Sequence, residues 1–202
     1  YMTGFITMYS GGNDRYPFLM KVDRDGNVIW VREFFTPDFF PTEFTKLELT
    51  PDKGMLVLSS RDNGCLIKMD SIGSIKWMCD FPNDSSWPRY GDIELTDSNT
   101  CVVAVPYMYE KVHTNNGYYD LLSGVSLSSI DIHSGQLNWH KRHTPFRSFF
   151  SGDEFQLHDL GDNGFAVLGC AERIPRPDTS VYYQYWDYAA FMQYNDLGDS
   201  VD

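Results

Sequence analysis

The sequence predicts an all-β chain built from repeated four-stranded antiparallel sheets, and three observations carry that expectation. One pattern recurs: "DRDGNVIW" from Asp23 to Trp30, "DSIGSIKW" from Asp70 to Trp77 and "DIHSGQLNW" from Asp131 to Trp139 each place an Asp and a Gly in a turn before a strand that carries a tryptophan. Apolar residues alternate with others over short runs bounded by Asp, Asn, Gly and Pro, as half-buried strands joined in hairpins do. Finally, 10 prolines and 16 glycines punctuate the chain too often for long helices, and few segments hold a helical period.

Taken in order, the turn glycines are Gly26, Gly73, Gly135 and Gly198, with Trp30, Trp77 and Trp139 behind the first three and Asp202 where a fourth tryptophan would stand. Before each turn runs an apolar strand: "FLMKVD" (18–23), "CLIKMD" (65–70), "VSLSSID" (125–131) and "AAFMQYND" (189–196). A second hairpin precedes the first in each unit, as in "KLELTPDKGMLVLSS" (46–60), "DIELTDSNTCVVAVP" (92–106) and "FQLHDLGDNGFAVLGC" (155–170). Each unit therefore reads strand A, tight turn, strand B, loop, strand C, tight turn, strand D. The expected boundaries are a partial unit at 1–34 (strands B to D), complete units at 44–81 and 90–142, and a unit at 153–202 cut at strand D.

Four-stranded antiparallel units at this spacing are the blades of a β-propeller. The expectation is thus a single β-propeller segment of about three and a half blades, part of a larger closed ring, because such rings typically use about 4–8 blades. The chain opens and closes in mid-unit, so the rest of a longer polypeptide, or other segments, is expected to complete the ring. "IDIHSGQLNW" resembles the repeat of the quinoprotein-like propellers, in which an Asp, a Ser/Thr-Gly turn and a Trp close each blade. "KVDRDGNVIW" and "KMDSIGSIKW" resemble the related repeat of secreted and cell-surface bacterial propellers. The resemblance implies a blade architecture and a secreted or surface-exposed location, periplasmic or extracellular. It implies no single activity, since that family holds dehydrogenases and membrane-assembly scaffolds alike.

With 16 basic against 28 acidic side chains and a net charge of −12, the chain lacks the basic stripe that nucleic-acid binding needs. Attraction to an anionic membrane surface is disfavoured on the same ground. No apolar run approaches the roughly 20 residues of a spanning helix, so direct membrane insertion is not expected. The opening "YMTGFITMYSGG" shows no basic leader or cleavage-like site.

Function is expected at the long connections. The A-to-B and C-to-D turns are short and polar, whereas the B-to-C and D-to-A connections are long and rich in rings, and in a propeller those two long classes emerge on one face. They gather Trp87, Tyr107, Tyr109, Tyr118, Tyr119, Phe149, Tyr182, Tyr183, Tyr185 and Trp186. Rings with polar tips give large contact area at low entropic cost, which suits a protein partner, a larger assembly or a glycan. The expected function is a non-enzymatic binding or scaffold module. The alternatives are a fragment of a quinoprotein-like oxidoreductase, or of a propeller enzyme acting on polysaccharide through paired carboxylates.

No catalytic residue, metal ligand or cofactor is assigned. His113, His133, His140, His143 and His158 fall into no identifiable triad or metal spacing. The acidic turns lack the length and terminal Glu of a calcium loop, and Asp, Asn and Gly are ordinary hairpin-turn residues. If the second C–D turn centres on Ile72, Cys65 faces Cys79 across the hairpin, where a disulfide and two buried thiols both fit.

Overall fold

The computed structural model describes residues 1–8, 14–34, 43–59, 64–82, 91–113, 119–143, 148–149, 156–161, 164–173, 187–195 and 197–199. The chain is all-β with antiparallel pairing throughout, and no α-helix occurs among the described residues. The first sheet runs in order through β1 (Met2–Met8), β2 (Asp14–Val22) and β3 (Val28–Glu33). The second follows as β4 (Phe44–Leu49), β5 (Met55–Ser59), β6 (Cys65–Met69) and β7 (Ile75–Asp80). The third is β8 (Asp92–Leu95), β9 (Thr100–His113), β10 (Tyr119–Asp131) and β11 (Leu137–His143). In the fourth, β12 (Ser148–Phe149) and β13 (Gln156–Asp159) both pair with β14 (Phe165–Arg173), whose other edge carries β15 (Asp187–Tyr194).

Strand alternation sends neighbouring side chains to opposite faces, and the second and third sheets bury both faces. Met55, Val57, Ile67 and Met69 of the second sheet pack with Leu19 of the first. Leu56, Leu58 and Leu66, from the alternate positions, pack with Ile93, Val103 and Ile130 of the third. Val102, Ala104, Val125 and Leu127 then meet Leu157, Phe165 and Val167 of the fourth. The four sheets are thus a stack sharing three cores, and each buried Leu or Ile contributes about 1.5–3 kcal/mol. Neighbouring sheets also touch through single strands, β1 against β4, β4 against β8 and β8 against β13.

The recurring motif does one job at every joint. Gly26, Gly73, Gly135 and Gly198 all take positive φ, between 74° and 86°, a conformation that costs other residues about 1–2 kcal/mol. The residue opening each turn caps it: the Oδ1 of Asp23, Asp70, Asp131 and Asn195 accepts two backbone N–H groups from the residues that follow. Each tryptophan then lies on the turn glycine of the next sheet. A Cβ on Gly73 would meet Trp30 at 3.4 Å, one on Gly135 would meet Trp77 at 2.7 Å, and one on Gly198 would meet Trp139 at 2.5 Å.

A β-bulge aims these rings. Lys21 pairs with Trp30 but Val22 with Val28, Lys68 with Trp77 but Met69 with Ile75, and Ser129 with Trp139 but Ile130 with Leu137. One extra residue, Ile29, Lys76 or Asn138, therefore precedes each tryptophan and turns it to the face of the following sheet. The same bulge corrects the expected Cys65–Cys79 alignment. Cys65 pairs with Asp80 and Cys79 with Leu66, so the two cysteines belong to opposite faces of one sheet. Cys65 lies in the core shared with the first sheet and Cys79 against the core shared with the third, and no disulfide joins them.

The third sheet also departs from the expected loop at 107–123. β9 and β10 continue past the sheet as a paired ribbon as far as His113 and Tyr119. Aromatic and β-branched residues in "YMYEKVH" favour a pleated strand, and the pairing satisfies backbone groups that a loop would leave to solvent.

Candidate functional site

In each sheet the described strand ends that lead toward the B-to-C and D-to-A connections lie opposite the tight turns, as antiparallel pairing requires. Tyr107 sits where the β9–β10 ribbon leaves the third sheet, and it is only 5% exposed. Its ring packs beside the backbone of Gly124, and the Arg142 guanidinium lies over it, 5.4 Å from the centroid. Tyr107 therefore supports this end from beneath, while the exposed Arg142 covers it.

Tyr109 and Tyr119 stand on the ribbon. Tyr109 is the extra residue of a bulge, since Glu110 pairs with Leu122 and Met108 with Ser123, while Tyr119 pairs with His113. Phe149 pairs with Glu172 at the far end of β14. Trp87, Tyr118, Tyr182, Tyr183, Tyr185 and Trp186 lie outside the described residues. The structure thus brings Tyr107, Tyr109 and Tyr119 to one ribbon.

The tight-turn end holds a feature that residue types alone conceal. Lys68 faces the third sheet, yet it is only 3% exposed. Its ammonium donates to Thr50 Oγ1 and, at 2.8 Å, to Asp52 Oδ1 in the β4–β5 turn. Burial works against ionising Asp52, but hydrogen bonds from Lys68, Thr50 and the Gly54 N–H outweigh it and hold the carboxyl well below its usual range. The equivalent residue of the first sheet, Lys21, places its ammonium 5.3 Å from the Tyr1 ring centroid.

In the third sheet this position is Ser129, again opposite the tryptophan. Between the third and fourth sheets there is a cleft of about 420 Å³. Its floor is Val102, Ser129 and Phe165, all buried, with the Trp139 ring stacked on Phe165 at 6.0 Å and 11°. Thr96 and Asp97 of the β8–β9 turn and Thr100 at the start of β9 stand at one lip, and Asp159 of the fourth sheet stands at the other. Sequence reasoning placed function at the opposite end because this turn reads as ordinary hairpin chemistry. The available signal was the register, Lys21, Lys68, then Ser129, with small replacing long.

Along the first strands runs an acidic strip. Burial, then the charge of Asp92, raises the Glu48 carboxyl, and burial with Glu48 and Asp92 raises Glu94. Asp92 is held by the Leu157 N–H at 2.9 Å and by Lys46 at 3.7 Å. Of the histidines, His140 Nδ1 meets Ser128 Oγ at 2.9 Å and His143 Nε2 meets the Gly198 carbonyl at 2.8 Å. Burial lowers both of their pKa values. Among the described residues no group of three His, Cys, Asp or Glu side chains could hold a metal ion, and no helix is long and apolar enough to cross a membrane.

No protein-family model matches this chain, and no curated protein matches it.

Proposed function

We propose that the four sheets are consecutive blades of a β-propeller whose aromatic end binds a partner, a protein of a larger assembly or a glycan, in a secreted or surface-exposed setting. The carrying observation is the repeated joint: Trp30 on Gly73, Trp77 on Gly135 and Trp139 on Gly198, with β1, β4, β8 and β13 in contact one with the next. A joint built from the same pair of residue types three times over supports a ring, and further sheets complete it. The outer face of the first sheet supports this too: Phe18 and Met20 are only half-buried there, whereas Cys65, Ile67 and Met69 at the matching face of the second sheet are fully buried.

The binding reading rests on the ring content of the long connections and on the ribbon that lifts Tyr109 and Tyr119 beyond the third sheet. A strand ribbon holds side chains more firmly than a free loop does, which lowers the ordering cost of association. The test is capture on a glycan array and from an extract of surface proteins, with Tyr185→Ala/Trp186→Ala as the probe and Asp25→Ala, in a tight turn, as the control. A fall of about tenfold or more in affinity for the double variant alone supports the reading. Equal binding by both variants refutes it.

A further inference from the structure

We propose that the cleft between the third and fourth sheets is a binding slot for a primary alkylammonium group. The inference does not rest on the partner-binding reading, which concerns the other end of the sheets. It rests on how the chain fills the same place one sheet earlier. There Lys68 is in effect a tethered ligand: an ammonium on a four-carbon stem, buried, bound by Thr50 and Asp52 of the adjoining turn. The third sheet keeps a hydroxyl and a carboxylate in the matching turn and loses the lysine. Thr96 follows β8 as Thr50 follows β4, Asp97 brings its carboxylate one position earlier than Asp52, whose place Ser98 takes, and the register that delivers Lys68 delivers Ser129 instead.

The cleft that remains has the chemistry of the missing group. Its floor of Val102, Trp139 and Phe165 suits methylene groups and offers ring faces to a cation. Its lips carry hydroxyls and two carboxylates, Asp97 and Asp159, one from each sheet. Asp97 is already oriented, because its Oδ1 accepts the backbone N–H groups of Asn99 and Thr100. Ser129 is tied to Asn138 Nδ2 at 3.3 Å and stays back against the floor. An anionic ligand would meet two carboxylates with no basic side chain among the lining residues. A neutral ligand would leave the charged lip without a counterpart.

The test is titration of the intact protein with n-butylammonium, read by Trp fluorescence and calorimetry. n-Butanol, of the same shape without charge, and Nα-acetyl-lysine amide, a lysine side chain on a peptide stem, are titrated alongside. Saturable binding of both amines and about tenfold weaker binding of butanol is expected, since a charge-assisted hydrogen bond separates them. Ser129→Lys fills the slot from within and should abolish amine binding while raising the melting temperature. Lys68→Ser should open a second slot and bind a second equivalent. Amine binding that survives both Ser129→Lys and Asp97→Asn, or no binding by the wild-type protein at millimolar amine, overturns the proposal.

Discussion

The indole of Trp77 occupies the space in which a side chain on Gly135 would begin: a Cβ there would lie 2.7 Å from Cδ2, while the indole Nε1 donates to the Ile132 carbonyl at 3.2 Å. Gly135 is therefore held by two requirements at once, a φ of 74° and the absence of a Cβ. Gly26 carries the first requirement alone, since nothing lies within 4 Å of its Cβ direction. We expect Gly135→Ala to cost about 2–4 kcal/mol in denaturant unfolding, from backbone strain plus overpacking. Gly26→Ala should cost only about 1–2 kcal/mol. Equal losses would refute the account of the joint.

Asp52 links the buried ammonium to acid stability. Its folded pKa is depressed, so its contribution is present above the unfolded value of 3.8 and disappears as pH falls through the lower folded value. Thermal melts of the wild type should therefore drop steeply below about pH 4, and Asp52→Asn should flatten that part of the curve. An unchanged profile would show that the Lys68 contact carries no linkage.

Glu94 behaves in the opposite sense. Its folded pKa is raised, first by burial and then by Glu48 and Asp92. Its favourable contribution is complete below the unfolded value of 4.5 and is lost as pH rises through the folded value. Glu94→Gln should raise the melting temperature at pH 7 and leave it unchanged near pH 4. A loss of stability at pH 7 would contradict the repulsion within the acidic strip.

The cysteines give a chemical check on register. Cys79 is half-buried, whereas Cys65 and Cys101 are fully buried. Burial, then the nearby Cys79, pushes the Cys101 thiol up to about 12. Burial also raises Cys79. Mass spectrometry without reductant should find no Cys65–Cys79 bond. Of these three thiols, only Cys79 should be alkylated by iodoacetamide in the native protein, and slowly at neutral pH because the thiolate is scarce. A Cys65–Cys79 crosslink would refute the bulge at Lys76.

The strands and tight turns were legible in the sequence because alternation and Asp-Gly turns are local signals, and the glycines and tryptophans repeat in step. What each tryptophan touches was not legible, since Gly73, Gly135 and Gly198 belong to the next sheet. The bulges were hidden for a related reason. Ile29, Lys76 and Asn138 share no residue type, and a single extra residue in a short strand leaves apolar alternation nearly intact while moving Cys79 to the other face. Tyr107 looked like a contact residue by type, but only the ribbon and Arg142 show that it is covered. The cleft at Ser129 went unseen because an unfilled space has no letter of its own.

Because a ring on one sheet meets a bare backbone on the following one, every joint points the same way along the chain. Donor and acceptor halves never sit on the same face, so two like faces cannot satisfy one another. Such an array lengthens or shortens by whole units without any contact surface being redesigned.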